Sequence, residues 1–125
     1  LAFRNGNDIN PSLYNSVQFA VNGGPEGIFL SVRLRDGTGR FPKIDYGSVP
    51  ANTWVVVSIP INQLNPDTLL FSTLSIEEGS GVQKTFYVDD IRFVPSTGQV
   101  QTTGQVQTKE NPIITFFKRL FQAIF

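Results

Sequence analysis

The chain has 125 residues and a mass of 13.8 kDa, enough for one domain with its own core and too little for two ordinary ones. Ten basic and ten acidic residues give a formal net charge of zero, so no electrostatic footprint points to a nucleic-acid partner. The absence of cysteine and histidine excludes disulfides, Cys/His zinc sites, thiol nucleophiles and every histidine-based triad.

Up to about Val94 the sequence consists of short apolar alternations separated by Gly, Pro, Asn and Asp, the pattern of an all-β antiparallel two-sheet sandwich. In SVQFAV (16–21), Val17, Phe19 and Val21 share one face and Gln18 and Ala20 the other, and the turn NGGPEG follows. In IFLSVRLR (28–35), Ile28, Leu30, Val32 and Leu34 alternate with Phe29, Ser31, Arg33 and Arg35, giving one dry and one polar face before DGTG. PKIDYG reads as a loop carrying Tyr46. WVVVSIPI (54–61) sets Val55, Val57, Ile59 and Ile61 against Trp54, Val56 and Ser58, with Pro60 at its end or on an edge. LLFSTLSI and TFYVDDIRFV complete at least five strands within residues 1–94.

The last of these strands carries adjacent carboxylates, although aspartate is depleted in strands. Unbroken alternation would place Tyr87, Asp89, Ile91 and Phe93 on the core side and Phe86, Val88, Asp90 and Arg92 on the other. An inward Asp89 then needs a partner: a bound cation, a cluster of backbone N–H groups, or an arginine. Calcium is one candidate, since it takes oxygen ligands that loop carbonyls can complete.

SLYNSVQFAVNGG, IFLSVRLRDG, ANTWVVVSIPINQL and FYVDDIRFV, in that order over residues 8–94, resemble the jelly-roll carbohydrate-binding modules of the galactose-binding-like superfamily. The resemblance implies a two-sheet sandwich, often with a structural calcium, whose sugar site is a concave sheet face or a loop end lined with aromatics. Asp89 matches the position from which the last strand of that family supplies a calcium carboxylate. Two departures stand out. The family's members carry two or three strands before the segment matched here, and the aromatic often found before Val-Asn-Gly-Gly is replaced by Ala20.

Sugar sites combine an exposed aromatic with planar polar groups. The candidates for carbohydrate binding are Gln18, Asn22, Phe29, Arg33 and Arg35 on the polar face and Tyr46 beside it, while Trp54 reads as packing support. Catalysis is not expected. Glycoside hydrolysis needs two carboxylates across a cleft, and Asp89/Asp90 or Glu77/Glu78 offer no such pair.

Residues 95–110 form a linker containing TGQVQT twice in tandem, flexible or strand-like. NPIITFFKRLFQAIF (111–125) reads as one amphipathic α-helix, with Asn111 as N-cap and Pro112 in its first turn. Ile113, Phe116, Phe117, Leu120, Phe121 and Ile124 form its apolar face. This face is expected to dock on the sandwich, to pack on other copies or a partner, or to lie at a membrane interface. The last is the weakest option, with only two basic residues.

The resulting expectation is a non-catalytic, extracellular or cell-surface module that binds a polysaccharide. The alternative is a structural subunit of a homo-oligomer or fibre, self-associating through an open sheet edge and through Phe116, Phe117, Leu120, Phe121 and Ile124. Methionine is absent even at position 1, so Leu1 is not expected to be the translational start, and any signal peptide would precede it.

Overall fold

A computed structural model describes residues 1–96 and the backbone of two short segments beyond them, Ile114–Thr115 and Phe121–Ile124. In chain order the strands are β1 (Ala2–Ile9), β2 (Tyr14–Asn22), β3 (Ile28–Arg35), β4 (Ile44–Val49), β5 (Trp54–Pro60), β6 (Phe71–Glu78), β7 (Thr85–Pro95), β8 (Ile114–Thr115) and β9 (Phe121–Ile124). A 3-10 turn (Pro11–Leu13) precedes β2, and a four-residue helix, α1 (Ile61–Leu64), follows β5. Sheet A has the order β1-β6-β3-β4. Sheet B has the order β5-β2-β7, with β8 and β9 both on the far edge of β7. From β1 to β7 every connection except β3–β4 passes from one sheet to the other.

The alternating apolar residues of both sheets meet in one core. Sheet B contributes Val17, Phe19, Val21, Phe86, Val88, Ile91 and Phe93, and sheet A contributes Leu30, Val32, Leu34, Phe71, Leu74 and Ile76. Each such burial contributes about 1.5–3 kcal/mol. Phe93 packs on Phe71 of the opposite sheet at 5.4 Å between ring centroids and edge-on to Tyr14 at 5.9 Å.

Three elements differ from the sequence-based expectation. The strands that the resembled family carries before β2 were expected to be missing, yet β1 lies against β6 and covers that edge of sheet A. Only Phe3 and Ile9 of β1 are buried, so AFRNGNDI carries no alternation by which to recognise it. The PKIDYG loop is instead largely β4, bulged where the register slips between Leu30 and Ser31. The helix expected over 111–125 is corrected at the six residues described there. Ile114–Thr115 pairs with Phe93 and Arg92, and Phe121–Ile124 pairs with Val88 to Thr85. The physical reason lies in β7, whose outer edge would otherwise expose unpaired N–H and C=O groups, and in Ile, Thr and Phe, which are good strand formers. Residues 97–110 of the linker, Phe116, Phe117 and Leu120 lie outside the described residues, while Pro95 ends β7.

Candidate functional site

The adjacent aspartates of β7 determine what sheet B presents to solvent. Asn22 pairs with Tyr87 and Ala20 with Asp89, but Gln18 pairs with Arg92, so a single β2 residue, Phe19, faces two residues of β7. This is a β-bulge, and Asp90 occupies it in left-handed backbone with φ 55°. Aspartate tolerates that region better than most residues. The Asp90 N–H donates to Asp89 Oδ1 at 2.8 Å.

The bulge reverses the phase of the strand. Phe86 and Val88 are buried before it and Ile91 and Phe93 after it, which leaves Tyr87, Asp89 and Arg92 on the outer face. The expectation of an inward Asp89 is thus corrected: both carboxylates lie on the outer face of the sheet, where carboxylates normally sit. The calcium expectation loses the inward carboxylate on which it was built. Among the described residues no three acidic side chains come together.

The six candidate sugar-binding residues separate onto two sides of the sandwich. Phe29, Arg33 and Arg35 lie on the outer face of sheet A. Arg35 is held there by its Nε donating to Ser75 Oγ at 2.8 Å and its Nη2 to Glu77 Oε2 at 3.1 Å. Arg33 is half-buried, and its Nε has no hydrogen-bond partner among the described residues. Tyr46 is exposed on the bulged part of β4, beside Asp45, whose Oδ1 accepts from Ser31 Oγ at 2.8 Å. A groove of about 530 Å³ opens on this side beside Ala2, Arg35, Ser75, Glu77 and Val82. Near the end of this sheet the buried Glu78 accepts the Phe29 N–H at 2.9 Å through Oε2. Its Oε1 accepts the Ser80 N–H at 2.7 Å and hydroxyl at 2.6 Å. Burial alone would raise the Glu78 pKa, but the Ser80 hydroxyl, the Phe29 and Ser80 amides and the charge of Lys84 outweigh it and hold it below the ordinary value.

Gln18 and Asn22 lie on the outer face of sheet B, where two aromatics missed at the sequence level join them. Register aligns Trp54, Asn22 and Tyr87 in one row, Val56, Ala20 and Asp89 in the next, and Ser58, Gln18 and Arg92 in a third. Two inter-strand spacings separate Trp54 from Tyr87, about 10 Å. Trp54 is 47% exposed, and Val56 in the second row is 75% exposed. Asn22 is fixed by its Oδ1, which accepts the Gly24 N–H at 2.9 Å. Arg92 stands 3.9 Å from Asp90. Apolar ring faces therefore flank amide, carboxylate and guanidinium groups on an open sheet surface. Trp54 went unrecognised because one tryptophan at a strand start reads equally well as packing. Tyr87 went unrecognised because the bulge reverses its direction, and the only signal for that bulge was the Asp-Asp pair itself.

In comparisons with known proteins, no family model, no curated protein and no solved structure matches this chain.

Proposed function

We propose that the chain is a non-catalytic, extracellular carbohydrate-binding module of jelly-roll type whose sugar platform is the outer face of sheet B. The observation that carries this reading is the row Trp54–Asn22–Tyr87. Aromatic faces receive the C–H surface of a pyranose ring, and the amides of Asn22 and Gln18 with the charged groups of Asp89 and Arg92 suit its hydroxyls. The repeated crossing of the chain between sheets supports the jelly-roll assignment. Asp89 and Asp90 are adjacent on one strand and both on the outer face, an arrangement that suits sugar hydroxyls better than acid–base work across a cleft.

Retention on insoluble polysaccharides and on a glycan array tests the reading. Trp54→Ala and Tyr87→Ala should each abolish retention, with a stability change of less than about 1 kcal/mol at the exposed Trp54 and of about 1–2 kcal/mol at the half-buried Tyr87. Arg33→Ala and Tyr46→Ala, on the other side, should leave it intact. The reading fails if the parent binds no glycan, and the platform is misplaced if only the second pair of variants loses binding. The alternative of a self-associating structural subunit is favoured by one feature, the open edge of β5.

A further inference from the structure

A sheet edge with free N–H and C=O groups templates another strand unless it is guarded. β1 carries Arg4 and Asp8 and loses register between Arg4 and Ile9. β4 carries Asp45 and is bulged. The outer side of β7 is occupied by β8 and β9. β5 lacks all of these guards. It pairs with β2 from Trp54 to Pro60 without a slip, and no charged residue occurs between Asp45 and Asp67. Among the described residues nothing pairs with its other side. Its outer-face residues include the most exposed of the large hydrophobics described, Val56 at 75%.

We propose that β5 pairs antiparallel with β5 of a second copy about a two-fold axis through Val56. The strand itself favours this occupant. A two-fold contact needs only a self-complementary edge, and a strand without charge has nothing to repel its copy or to recruit a charged partner. With the axis at Val56, the two Val56 side chains meet, a cross-strand β-branched pair that removes them from water. Trp54 then stands opposite Ser58 of the other copy, and Val55 opposite Val57 on the core side. Pro60 falls beyond the ladder from Trp54 to Ser58, where its missing N–H costs nothing. The contact closes at two copies and joins the outer faces of both B sheets into one surface. It does not depend on sugar binding.

A single strand pair belongs to the small, weak class of interfaces. Sedimentation equilibrium of the full chain should therefore show monomers at low micromolar concentration and dimers, with nothing larger, approaching millimolar. Amide hydrogen exchange over residues 54–58 should slow as concentration rises. Val56→Lys, at an exposed site where folding is not at stake, should weaken dimerisation roughly tenfold or more, because lysine blunts an edge. Ser48→Lys on β4 should leave it unchanged. A chain that stays monomeric throughout overturns the proposal, as does a dimer indifferent to Val56→Lys. Full protection of residues 54–58 in the monomer also overturns it, since the chain's own residues would then cover the edge.

Discussion

Asp90 sits with φ at 55°, and this one dihedral turns Tyr87 and Asp89 toward solvent. Asp90→Gly should therefore be neutral or slightly stabilising, whereas Asp90→Val, which places a branched side chain in left-handed backbone, should cost about 1–3 kcal/mol. Asp89→Ala loses one exposed hydrogen bond and should cost less than about 1 kcal/mol in urea unfolding. A loss well above that would mean that Asp89 points inward after all. Glu78 is the acid the fold depends on more. Its folded pKa is depressed, so its contribution is present above the unfolded value of 4.5 and is lost as pH falls through the folded one. Glu78→Gln should cost about 1–3 kcal/mol at neutral pH, and the gap between parent and variant should close in acid. A gap that stays constant down to the acid transition would show that the three hydrogen bonds do not favour the charged form.

The turn between β2 and β3 shows how an element is held by what lies beside it. Gly24 has φ +72°, and a Cβ there would lie 1.9 Å from the Thr85 carbonyl oxygen, while its own carbonyl accepts the Asn52 N–H at 2.7 Å. Gly24→Ala should cost at least about 2 kcal/mol. Gly6→Ala, with nothing within 4 Å and no positive φ, should be tolerated. Equal melting temperatures for the two variants would show that the turn is not clamped. Asn-Gly-Gly was legible in the sequence because only glycine fits such a turn, and β2, β3, β5, β6 and β7 were legible because each buries one face. β1 and β4 were not, since edge strands with few buried residues carry no alternation. The C-terminal segment presented a helical stripe, but apolar spacing does not record a neighbouring strand edge that is free to pair. The site was half legible. Gln18 and Asn22 follow from their strand's period, whereas Tyr87 depends on a register slip and Trp54 on which side of the sheet is left uncovered.

For the whole molecule, the decisive count is of open edges on sheet B. The described core lies entirely within residues 1–96, with members from Phe3 to Phe93, so the sandwich should still fold when residues 97–125 are removed. Removal would strip β8 and β9 from β7 and bare a second edge opposite β5, whose stretch Thr85–Val88 carries no charge, although the Asp90 bulge with Asp89, Asp90 and Arg92 blunts the rest. One open edge closes at a dimer, whereas two on opposite sides of a sheet allow an open-ended row of copies. With Ile114–Thr115 and Phe121–Ile124 along β7, the tail should limit assembly, where the sequence-based expectation has it drive assembly. The shortened chain should lose some thermal stability through its missing ladder hydrogen bonds and should sediment as a broad, concentration-dependent series. Adding Val56→Lys to it should limit that series to β7–β7 dimers. If the shortened chain behaves in solution as the full chain does, with unchanged amide protection along β7, then β8 and β9 contribute no cap and the edge argument for β7 fails.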